Sequence, residues 1–101
     1  MSVIVIGHFP VANIGTAKRA LASNGPLLDE ITRDAQRLGA HHHRFLEGDG
    51  ELLVLDEWES ADAFHGFFED NVKVRRLTDA AGVQAPPRLE VYGSVEAAGT
   101  F

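Results

Sequence analysis

The chain has 101 residues, 45% hydrophobic and 24% charged, which suits one domain with a modest core and excludes disorder. It contains no cysteine, which excludes disulfides, thiolate nucleophiles and Cys-ligated zinc or iron–sulfur centres. The net charge is -6 and the 9 Lys and Arg are scattered, so a nucleic-acid groove is not expected.

Val3 to Val11 is rich in β-branched residues and reads as the first strand. Its apolar run is too short to span a bilayer and has no basic segment before it, so no membrane partner and a cytoplasmic location are expected. Val3, Val5, Phe9 and Val11 point one way; Ile4, Ile6 and His8 point the other. Residues 14 to 38 read as helix, broken at Asn24-Gly25-Pro26 because proline has no N–H and glycine is a poor helix former. Beyond the break, Leu28, Ile31, Ala35 and Leu38 form one apolar stripe, and Gly39 ends it.

Residues 41 to 47 and 51 to 58 flank Gly48-Asp49-Gly50 and predict a hairpin. With a two-residue turn, His43 opposes Asp56 and His41 opposes Trp58; with a three-residue loop, His42 faces Asp56 instead. Ser60 caps a helix carrying Ala63, Phe64, Phe67 and Phe68, and a second helical stretch runs from Val72 to Ala81 before Gly82. Pro86-Pro87 leads into a last strand, Arg88 to Val95, with Leu89 and Val91 on one face and Glu90 and Tyr92 on the other. The tail, 95 to 101, is expected to be loose.

The order β-α-β-β-α-β is the ferredoxin-like α+β arrangement, one domain over 1–101 with an antiparallel four-stranded sheet. The helices cover one sheet face. A second copy is the simplest cover for the other, which predicts a homodimer. Aligning the strands by alternation puts Val3, Val5, Phe9, Leu53, Leu55, Leu89 and Val91 under the helices. It puts Ile4, Ile6, His8, Leu52, Val54, Asp56, Trp58, Glu90 and Tyr92 on the face that closes in the dimer. That second face, apolar with a few ionisable groups, reads either as a ligand cavity or as an interface with a satisfied polar network.

Among its residues, His43 and Asp56 are the candidate catalytic pair, with Asp56 orienting the imidazole; Trp58, Tyr92, His8, Val54 and Phe67 are the candidate substrate contacts. His41-His42-His43 is not read as a metal site: neighbours on a strand point to opposite faces, and at most His41 and His43 would converge, with His8 or Asp56 as a third ligand. No Ser/His/Asp spacing and no phosphate-cradling glycine loop is present.

The stretch Asp56-Glu57-Trp58-Glu59-Ser60-Ala61-Asp62-Ala63-Phe64 resembles the antibiotic-biosynthesis-monooxygenase-like superfamily of dimeric α+β barrels, as do Gly39 to Phe45 and Gly82 to Pro87. The resemblance implies a dimeric barrel and a small aromatic or quinone-like ligand. It also implies cofactor-independent oxygenase chemistry or haem degradation, on sites that pair an Asn with a Trp. Trp58 matches that Trp; Val54 stands four residues before it, and Phe67-Phe68 stand where many members place a helix His. Two functions follow: a monooxygenase or isomerase that needs no cofactor, or a dimeric binding module without catalysis.

Overall fold

The structure, a computed structural model, describes residues 2–101. Its elements are β1 (Val3–Pro10), α1 (Ile14–Ser23), α2 (Gly25–Leu38), β2 (Ala40–Gly48), β3 (Glu51–Trp58), α3 (Ala61–Phe68), α4 (Val72–Ala80) and β4 (Arg88–Gly93). The four strands form one antiparallel sheet in the order β2-β3-β1-β4. This is the ferredoxin-like α+β topology, with each helical connection split into two helices.

Local chemistry sets these boundaries. Asn13, Ser60 and Asn71 cap α1, α3 and α4, their side-chain oxygens accepting from the backbone N–H three residues on. Asn24 ends α1 and starts α2, and Pro26 sits in the first turn of α2, where its missing N–H costs no helical bond. Gly39 terminates α2 at φ 120°, a conformation that an L side chain resists. The hairpin has the two-residue turn: Gly48 pairs with Glu51, and Gly50 takes φ 69°. Two strands are shorter than their sequence patterns. β1 ends at Pro10, with Val11 making a single bridge to Val83, and β4 ends at Gly93.

The face assignment of β3 is the main correction. In β1, Val5, Gly7 and Phe9 are buried, and their partners across the ladder are Asp56, Val54 and Leu52, with Val3 opposite Trp58. Leu52, Val54, Asp56 and Trp58 therefore lie under the helices. Leu53 and Leu55 share the outer face with Ile4, Ile6 and His8. The β4 reading holds, since Leu89 pairs with Gly7 and Val91 with Val5.

The core falls into two buried clusters. One gathers Phe9, Val11, Ala17, Leu52 and Ala81; the other gathers Val5, Trp58, Phe64 and Phe67. Val54 packs against the first, Ile31 and Ala35 of α2 against the second, and Phe68 against both. No residue of α2 is fully buried, and Leu38 at its end is 46% exposed. The helix stands off from the sheet, and a cavity opens beneath it.

Candidate ligand cavity

The space between the helices and the sheet encloses a cavity of about 400 Å³. Small-molecule sites run from about 300 to 1,000 Å³. Val54, Gly7 and Phe45 line it from the sheet, Leu28 and Ile31 from α2, and Phe67 and Phe68 from α3. Its wall is mostly apolar. The polar exceptions are His41, His42, His43 and Asp56 from the sheet, with Thr32, Gln36 and Thr78 from the helices. Interiors normally pack to crystal-like density, and an unfilled hole costs stability in proportion to its volume. A cleft of this size in a chain this small is thus a feature that simple core packing does not explain.

One polar network is built into the wall. His43 pairs with Asp56 across the β2–β3 ladder, and His43 Nδ1 lies 2.6 Å from Asp56 Oδ1. The indole Nε1–H of Trp58 donates to Asp56 Oδ2 at 3.1 Å. Asp56 is 7% exposed and Trp58 is fully buried, whereas the His43 side chain is 40% exposed at the sheet edge. With Asp56 as carboxylate, Nδ1 carries the shared hydrogen, so the Nε2 lone pair is free to accept a proton. The edge of the His43 ring meets Phe45, centroids 4.7 Å apart, which holds the imidazole at a fixed tilt.

The structure thus brings together five of the seven sequence candidates: His43, Asp56, Trp58, Val54 and Phe67 all line the cavity. They meet under the helices of one chain, not between two sheets. Trp58 packs against Phe64 and Phe67 and offers Asp56 its N–H, so its place is behind the dyad. His8 and Tyr92 do not join them. Both sit on the outer face, where β1 and β4 alternate away from the helices, and Tyr92 is 50% exposed. The expected pairing of His41 with Trp58 fails as well, because a bulge between Ala40 and His42 sets Ala40 opposite Trp58. His41 and His42 instead approach Glu57, at 3.8 and 3.9 Å. Glu57 is held below the ordinary carboxylate range, first by a hydrogen bond from Ser2 and then by those two imidazoles. Among the described residues, no group of three or more His, Asp or Glu is arranged to hold a metal ion.

Sequence reasoning missed Phe45, Thr32 and Gln36. The signals were there. Phe45 alternates with His43 on β2, and Thr32 and Gln36 stand four apart along the flank of the α2 apolar stripe.

No family model matches the chain, and no curated protein matches it in sequence. Solved structures do resemble it. The monooxygenase from the gene ActVA-Orf6 of Streptomyces coelicolor, in complex with the ligand nanaomycin D, is 17% identical with a TM-score of 0.68, over 95% of this chain and 89% of that one. SnoaB, a cofactor-independent oxygenase from Streptomyces nogalater, is 13% identical with a TM-score of 0.64, over 98% of each chain. An antibiotic biosynthesis monooxygenase is 14% identical with a TM-score of 0.62, over 93% of this chain and 99% of that one. The fold is antibiotic-biosynthesis-monooxygenase-like, and identities this low show the fold alone. Among the described residues, no helix is long and apolar enough to cross a membrane.

Proposed function

We propose that the chain binds a small aromatic or quinone-like compound in the cavity beneath α2 and oxidises it with molecular oxygen, without a cofactor. The observation that carries this reading is the His43–Asp56 dyad set in a mostly apolar cleft of about 400 Å³. Oxygenation without metal or flavin needs a substrate anion electron-rich enough to pass an electron to O₂, so the first step is removal of an acidic proton. His43 Nε2 is the base. Asp56 holds the ring in the tautomer that leaves that nitrogen free and stabilises the imidazolium that forms. Trp58 fixes Asp56 from behind, and Phe45, Phe67 and Val54 contact the ring of the ligand.

The reading includes a homodimer, located in the cytoplasm, that closes through the outer sheet face. Ile4, Ile6, Leu53 and Leu55 lie there, and none belongs to either core cluster. The nanaomycin D complex of a similarly folded protein supports the ligand class. One observation favours a second reading, a binding module without catalysis: Asp56 already has partners on both oxygens within the chain.

The test is oxygen uptake by chelator-treated protein with dihydroxynaphthalene- and anthrone-type compounds, alongside their binding measured by fluorescence. The reading expects turnover, and a rate about 10²–10⁴-fold lower in Asp56→Asn with binding retained. Binding without turnover on any compound would leave the module; neither binding nor turnover would remove both readings.

A further inference from the structure

A second polar cluster lies on the outer face of the sheet, away from the cavity. His8 Nε2 is 2.6 Å from Glu90 Oε1, and His8 Nδ1 is 3.1 Å from Glu51 Oε1. Each ring nitrogen thus meets a carboxylate. A neutral imidazole has one N–H and one lone pair, so either tautomer would turn a lone pair towards an anion. Only the imidazolium satisfies both contacts. The rest of the surroundings are defined. From β3 comes Glu51, with Leu53 directly opposite His8; from β4 come Glu90, Tyr92, whose hydroxyl donates to Glu90 at 2.8 Å, and Arg88, paired opposite His8. β2 presents Leu46 opposite Leu53 and, further along the same face, Arg44 opposite Leu55 and His42 opposite Glu57. His8, Arg88, Glu51 and Glu90 are a neutral quartet when His8 is protonated and carry one net negative charge when it is not. The His8 side chain is 14% exposed even in the single chain, and Ile4, Ile6, Leu53 and Leu55 lie beside it on the same face.

We propose that this quartet makes the closing of two sheets against each other depend on pH, the face being fit for burial against a second copy only while His8 is an imidazolium. The inference rests on the homodimer reading. Burying an unpaired charge costs far more than burying a paired one, and in a symmetric pair the excess anion appears twice. The His8 pKa is raised from its ordinary 6.5, chiefly by the hydrogen bonds to Glu51 and Glu90, against opposition from burial and Arg88. Glu90 is held below its ordinary value, first by His8 and then by Tyr92. Association is then favoured below the elevated His8 midpoint and lost as pH rises through it.

The experiment pairs sedimentation equilibrium from pH 5.5 to 9.5 with an NMR titration of the His8 ring on the same protein. The expected result is a His8 midpoint above 6.5 and a dimer dissociation constant that rises about tenfold or more across it. Glu90→Gln removes one carboxylate, so the His8 midpoint should fall, and because His8, Arg88 and Glu51 are then neutral only with His8 deprotonated, association should strengthen instead of weaken as pH rises through that midpoint. His8→Gln is neutral at every pH and should give a weak dimer with no pH dependence in this range; circular dichroism confirms that both variants fold. A dimer whose dissociation constant is flat across the measured His8 midpoint overturns this inference alone. A monomer at every pH overturns the homodimer reading and this inference with it.

Discussion

Trp58 has one polar atom, and the fold gives it to Asp56. The indole is fully buried between Val5, Phe64 and Phe67, and its N–H is the only hydrogen-bond donor it owns. Trp58→Phe strips Asp56 Oδ2 of its donor inside the protein, and its smaller ring also leaves a void in the cluster of Val5, Phe64 and Phe67. Removing a hydrogen bond to a buried charged group costs about 1–3 kcal/mol. We expect a loss of at least that order by urea denaturation, and we expect its hydrogen-bond part to vanish when Asp56→Asn is added, because the two residues act on one bond. Additive losses would mean that the tryptophan matters only for its bulk. The same geometry places Trp58, a candidate substrate contact in the sequence, behind Asp56. A residue with no exposure stands behind the site, and Phe45, Phe67 and Phe68 hold the surfaces that face the cavity.

Each element was legible to a different degree, for reasons that lie in its own residues. β1 and β4 alternate cleanly, and their faces are as the pattern implies. The Asp49-Gly50 turn set the hairpin register and with it the His43–Asp56 pair. β3 was ambiguous because Leu52, Leu53, Val54 and Leu55 are apolar in both parities, so alternation cannot choose a face. Its ends hold the answer. Glu51 and Glu57 share a parity with Leu53 and Leu55, while Trp58, the largest side chain, shares one with Leu52 and Val54. The bulge at His41 had no local signature. In the helix layer, Asp34 of α2 accepts from Lys73 of α4 at 2.7 Å and from Arg37 at 3.1 Å. The Lys73 hydrogen bond is the main cause that holds Asp34 below its ordinary 3.8. A depressed carboxylate contributes stability above its unfolded pKa and loses it as pH falls through the folded one. Lys73→Met should therefore lower the urea midpoint at pH 7 by more than at an acid pH where Asp34 is protonated. An equal loss at both would assign the effect to the packing of the lysine stem.

At the scale of the whole molecule, a chain of 101 residues carries a cavity of about 400 Å³ and a sheet with helices on one face only. Both features weaken a small domain, which already buries a smaller share of its surface than a large one. Closing the outer face against a second copy offsets that loss without filling the cavity, because the two lie on opposite sides of the sheet. This separation makes the homodimer and the ligand site independently testable through adjacent residues of one strand. Leu55 pairs with Ile6 on the outer face, and Val54 pairs with Gly7 on the cavity face. Leu55→Asp places a charge where a single chain already meets solvent. It should give a folded monomer that still binds the aromatic probe, read by sedimentation and by fluorescence. Val54→Asp places the same charge against the buried cluster of Phe9 and Leu52 and should cost several kcal/mol or prevent folding. If Leu55→Asp unfolds the chain and Val54→Asp gives a soluble monomer, β3 faces the other way, and the placement of the His43–Asp56 dyad fails with it.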